Sequence, residues 1–191
     1  MKRVLLTVAV ALLIPSLAGA WIPTVGVYNA GKLHYTPVWD VSTSVQFEME
    51  LYIVQDELFV TAIEYALYVP DDPVGPPTPA YFAILGVTYP PNHVLEMGDV
   101  WLGHSITYWP PFTGYPTGYD LLCTYTCMTL VPCDDMWNYR LVVGPHPDTG
   151  ELRGTYAPNA EFFDIIGLTT YICPYDIGVK EESWGAIKSM Y

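Results

Sequence analysis

Apolar and polar residues alternate along Val45-Gln46-Phe47-Glu48-Met49-Glu50-Leu51, and a period of two puts one set on each face of an extended strand. Further runs rich in β-branched and aromatic residues occupy Leu58–Val69, Ala80–Tyr89, Val100–Trp109, Tyr119–Val131, Tyr139–Val143, Glu151–Tyr156 and Phe162–Cys173, with a shorter one at Thr24–Tyr28. Between them stand Asn29-Ala30-Gly31, Pro70 to Pro79, Pro90-Pro91-Asn92, Pro110 to Gly118 and Gly144 to Gly150. Short strands punctuated by Pro and Gly, with no long helical period between them, predict an all-β antiparallel sandwich or barrel. No fixed-period repeat and no dividing linker is visible, so one domain is expected over 21–175.

Placing a loop at Gln55-Asp56-Glu57 makes a hairpin of the second and third runs. Val54 then pairs with Leu58, Phe47 with Tyr65 and Met49 with Ile63, burying one consistent face. The same register sets Glu48 against Glu64, with Glu50 two residues along. Like charges directly opposite are mildly destabilising, which predicts a wet face or a bound cation there.

The chain's ends carry different signals. Lys2 and Arg3 precede the apolar run Val4 to Ile14, Pro15 breaks it, and Ala18-Gly19-Ala20 supplies small residues for cleavage. That order predicts a signal peptide over 1–20; the run is too short for a membrane-spanning helix, which needs about 20 residues. A secreted, periplasmic or cell-surface location without a transmembrane anchor is expected. At the other end, 176–191 forms a separate tail. Ser183 is a candidate helix cap, and Trp184, Ile187 and Tyr191 make one stripe of a short amphipathic helix that needs a docking surface.

Export changes how the cysteines are read. Cys123, Cys127, Cys133 and Cys173 are even in number, and an oxidising compartment favours two disulfides over zinc, whose sites use tighter pairs. On one straight strand Cys123 and Cys127 lie about 13 Å apart on a common face, too far to bond. Each would pair with Cys133 or Cys173 unless a bulge at Thr124-Tyr125-Thr126 brings the first two together. Net charge sharpens the picture as well. It is −13 for the whole chain and more negative once Lys2 and Arg3 are removed, which disfavours nucleic acid and anionic lipid as partners. With 51% hydrophobic residues, the chain has apolar surface enough to fold.

Candidate chemistry is sparse. His104 and Ser105 are neighbours on one strand and so face opposite ways, which prevents a nucleophile–base pair. Glu48, Glu50 and Glu64 form a glycosidase-like carboxylate set only if clustered; a solvent-facing polar row is the plainer reading. His34, His93, His104 and His146 lack metal-ligand spacing. Asp71-Asp72 and Asp134-Asp135 read as turn residues rather than a calcium loop. No enzyme activity, metal or cofactor is expected. The stretch from Tyr108 to Tyr119 is the most suggestive: Trp109, Phe112, Tyr115 and Tyr119, held by Pro and Gly, suit stacking on a sugar or gripping a protein. Capping the sandwich core is the alternative role for those rings.

The GVYNAG opening, the RGTYAPNAEFFDIIGLTTYICP run and the terminal SWGAIKSMY resemble a set of uncharacterised secreted bacterial proteins. Those proteins carry immunoglobulin- or cohesin-like β-sandwiches and end in a WG-x-[IV]-K segment. The resemblance implies this fold, with a short C-terminal helix or tail, and export. It carries no catalytic residues, and no motif brings over the dockerin-binding role of cohesins. A non-catalytic structural or binding module follows, engaging an envelope protein; carbohydrate binding by the aromatic loop 108–119 is the alternative.

Overall fold

The computed structural model describes residues 22–30, 41–55, 59–114, 117–136 and 138–173. They fold into two β-sheets. The strands are β1 (Thr24–Asn29), β2 (Gln46–Val54), β3 (Val60–Tyr68), β4 (Phe82–Thr88), β5 (His93–Asp99), β6 (Gly103–Phe112), β7 (Tyr119–Thr129), β8 (Tyr139–Gly144), β9 (Arg153–Tyr156), β10 (Glu161–Asp164), β11 (Ile166–Gly167) and β12 (Thr169–Ile172). One sheet runs β11-β1-β2-β7-β4. The other has seven strands: β10-β9-β3-β6-β5, with β8 beside the end of β3 and β12 beside β8. Pairing is antiparallel except between β1 and β11. Among the described residues no helix is long and apolar enough to cross a membrane.

Period-two alternation explains the layers. Met49, Leu51 and Ile53 of β2 are fully buried, as are Ile63, Tyr65 and Leu67 of β3. Each strand turns its apolar set inward from its own sheet, and the two sets meet in one core with Phe82, Ile106, Leu122, Tyr125 and Leu141. Fully burying one such side chain contributes about 1.5–3 kcal/mol.

The expected β2–β3 hairpin is not formed. β2 pairs with β1 and β7, whereas β3 pairs with β6, β8 and β9. The chain crosses from one sheet to the other between these strands. The alternation holds in both strands, but two inward faces satisfy it equally well across a sandwich core as across a hairpin. The carboxylate cluster dissolves with the hairpin. Glu48 and Glu50 lie on the outer face of one sheet, and Glu64 lies on the outer face of the other, where Arg153 donates to it at 2.8 Å.

The expectation of two disulfides is corrected to one. Cys133 bonds Cys173, with Cα atoms 5.2 Å apart, while Cys123 and Cys127 are buried free thiols. The latter pair sits mid-strand on the inner face of β7, four residues apart, and neither meets another cysteine. Cys133 lies beyond the end of β7 in a 3-10 turn, Cys133–Asp135, and meets Cys173 just after β12.

Asp71 and Asp72 are not free turn residues either. Arg140 makes a bidentate pair with Asp71, both bonds at 2.8 Å. Asp72 accepts from the backbone N–H groups of Val74, Gly75, Ala80 and Tyr81 and from the Tyr139 hydroxyl. Burial works to raise the Asp72 pKa, but the backbone donors outweigh it and hold the carboxyl well below its usual range.

Candidate functional site

The predicted aromatic loop is partly strand. Tyr108 to Phe112 belong to β6. Tyr108 is buried in the core, and Phe112, half-buried, packs on its ring at 4.4 Å. Tyr119 is half-buried at the start of β7. Only Trp109 among these projects fully, with 68% of its surface exposed. Tyr115 lies outside the described residues, as do 1–20, His34, Trp184, Ile187 and Tyr191. The structure therefore brings Tyr108 and Phe112 together as core and leaves Trp109 as the exposed ring.

Trp109 stands at the margin of the outer face of the seven-stranded sheet. Cross-strand register builds that face in rows. Leu95, Thr107, Ala62, Thr155 and Phe162 are successive partners across β5, β6, β3, β9 and β10. The next row is Met97, Ser105, Glu64, Arg153 and Asp164. Residues paired across strands share a face, so the side chains of Thr107, Ala62 and Thr155 form the middle of the first row and the Glu64–Arg153 ion pair that of the second. Apolar ones stand at the ends: Leu95, Met97 and Phe162 are each more than half exposed. Arg153 lies under the Phe162 ring at 4.1 Å while bridging Glu64 and Glu151, a contact that holds the ring in place.

A second feature lies at the sandwich's side. The two sheets end there in edge strands β4 and β5, joined by the Pro90-Pro91 turn. A cavity of about 330 Å³ separates them, walled by Ile84, Val87, Tyr89, Glu96, Trp101 and His104 among others. Gly98 and Gly103 set its β5–β6 corner. Their φ angles are +88° and +120°, and a Cβ on Gly98 would meet the Gly103 carbonyl oxygen at 2.0 Å.

From this cavity a polar network runs into the core. The Tyr89 hydroxyl meets His104 Nε2 at 3.2 Å, and the Tyr65 hydroxyl meets His104 Nδ1 at 2.9 Å. Tyr65 in turn meets the Tyr125 hydroxyl at 2.7 Å, with Cys123 Sγ at 3.9 Å. Burial holds His104 below the usual histidine range, against the opposing pull of Glu96 and Asp99. Burial also pushes the Cys123 thiol up to about 12, which makes it a poor nucleophile. The network satisfies its members rather than activating one, and His104 faces away from Ser105 as the alternation predicts. Sequence reasoning missed the grouping because Tyr65, His104 and Tyr125 share no local motif; they meet only through strand order.

No protein-family model matches the chain, and no curated protein matches it. Among solved structures, 87% of the chain is similar to 97% of a non-cellulosomal cohesin from the hyperthermophilic archaeon Archaeoglobus fulgidus, at 9% identity and TM-score 0.45. A type III cohesin module from the cellulosomal ScaE cell-surface anchoring scaffoldin of Ruminococcus flavefaciens matches at 14% identity and TM-score 0.43, over 79% of this chain and 87% of that one. The third cohesin of ScaC from Acetivibrio cellulolyticus, solved with the ScaB dockerin, matches at 4% identity and TM-score 0.45, over 78% and 99%.

Proposed function

We propose that this chain is a non-catalytic binding module, exported by cleavage after Ala20, that engages an envelope or extracellular protein through the outer face of its seven-stranded sheet. The observation that carries the reading is the register row Leu95-Thr107-Ala62-Thr155-Phe162, apolar and exposed at both ends, with Trp109 exposed beside it. Exposed Trp and Phe rings are the residue types that anchor protein interfaces. The basic, apolar and small-residue segments in order over 1–20 and the Cys133–Cys173 bond support an oxidising destination. Trp109 on β6 and Phe162 on β10 are separated by β3 and β9, which favours separate protein anchors over one stacking platform for sugars.

The test is retention of an envelope protein on immobilised 21–191. Trp109→Ala and Phe162→Ala are each expected to weaken binding of the same captured protein about thirtyfold, the scale of an aromatic hot spot. Equal retention by both variants would sink this reading. Polysaccharide retention lost in Trp109→Ala, with no protein captured, would replace it with carbohydrate binding.

A further inference from the structure

We propose that the free edge of β5, together with the cavity between β4 and β5, receives an extended basic peptide of a partner protein. The peptide adds as a further strand to the seven-stranded sheet and places a Lys or Arg side chain between the two sheets. Leu95 and Met97 belong to the edge of the outer face as well, but the cavity and Glu96 do not, and the site stands without the proposed function of that face.

Among the described residues β5 pairs only with β6, and β4 only with β7. Each therefore presents unpaired backbone donors and acceptors toward the gap, a template for strand addition. β5 is exposed from Val94 to Asp99, with Val94, Leu95 and Met97 each at least half exposed. An added strand would alternate as β5 does. Its outward side chains would lie beside Leu95 and Met97, an apolar match. Its inward ones would enter the cavity beside Glu96, which pairs with the buried core residue Ile106 and so lies on the inner face.

The chemistry of the inward position selects the side chain. Glu96 and Asp99 line the cavity, and no Lys or Arg does. Tyr89 and Trp101 provide ring surface for an aliphatic stem and a cationic head. The whole chain carries −13, which draws a basic segment to this gap. A second copy fits poorly. Symmetric antiparallel pairing of two β5 strands about Glu96 would set the two Glu96 carboxylates against each other, a repulsive arrangement.

The probe is a capped heptapeptide of alternating Val and Lys, titrated calorimetrically into 21–191. Saturable binding is expected, weakening as NaCl is raised and absent when the peptide's Lys are replaced by Glu. Glu96→Gln should weaken it about tenfold, while Glu161→Gln, an equal charge change at the opposite edge of the sheet, should leave it unchanged. Backbone N-methylation separates strand addition from mere charge attraction. Methylating one alternate set of peptide nitrogens should abolish binding, and methylating the other set should be tolerated, because only one set faces β5. No binding up to about 1 mM, or binding indifferent to both methylation patterns, would overturn the proposal and leave Glu96 as an inward charge guarding an edge. Dimerisation of the protein through β5, abolished by Met97→Lys, would also overturn it by giving the edge to a second copy. None of these outcomes bears on retention through Trp109 and Phe162, so the two readings fail separately.

Discussion

At the residue scale, Tyr65 is the junction of the core's polar network: its hydroxyl meets His104 and Tyr125, both buried. Tyr65→Phe removes one hydroxyl and leaves two buried groups short of a partner. A loss of about 1–3 kcal/mol is expected from urea unfolding, the cost of unsatisfied buried groups. His104 adds a pH dependence. Its folded pKa is depressed by burial, whereas an unfolded histidine titrates at about 6.5. The unfolded chain therefore takes up a proton that the fold resists. The His104 contribution is complete above about pH 6.5 and is lost as pH falls through that value toward the folded pKa. Thermal unfolding at pH 7.5 and pH 5 should show this loss in the native protein and a smaller one in His104→Gln. Equal losses would assign the slope to other groups.

At the element scale, the corner between β5 and β6 decides whether the lateral cavity exists. Gly98 combines a positive φ with a close approach to the Gly103 carbonyl. Any side chain there is strained by its backbone conformation and blocked by the neighbouring oxygen. Gly98→Ala is expected to cost about 2 kcal/mol or more in urea unfolding, and to abolish binding of the Val-Lys peptide by displacing Glu96. Retained stability would mean the corner relaxes freely. The glycine itself was visible in the sequence, but its consequence was not: the blocking atom lies five residues away and approaches only once the turn closes.

At the scale of the whole molecule, the Cys133–Cys173 bond ties the two sheets together. Cys133 follows β7 of one sheet, and Cys173 follows β12 of the other. It closes a loop with a sequence separation of 40. Loop-closure entropy predicts that Cys133→Ser with Cys173→Ser destabilises the fold by about 4 kcal/mol. Thiol titration without reductant should find no reactive thiol in the native protein and two after unfolding. Four reactive thiols after unfolding, or none, would contradict the single bond. Burial accounts for the native silence, since Cys123 and Cys127 are both held in the thiol form within the core.

The sequence by itself determined the class of this protein: alternating runs, breakers between them and inward sets such as Met49, Leu51 and Ile53 were all legible. They depend on neighbours along the chain, and a period of two survives whatever the strand pairs with. The opposed faces of His104 and Ser105 were legible too, again a local property. Only the tertiary structure decided the pairing. It placed β2 and β3 in different sheets, scattered Glu48, Glu50 and Glu64, joined Cys133 to Cys173, and gathered Tyr65, His104 and Tyr125 into one network. Each of these depends on contacts between residues distant in the chain, where several pairings bury the same apolar face and only the packing of the whole core chooses among them.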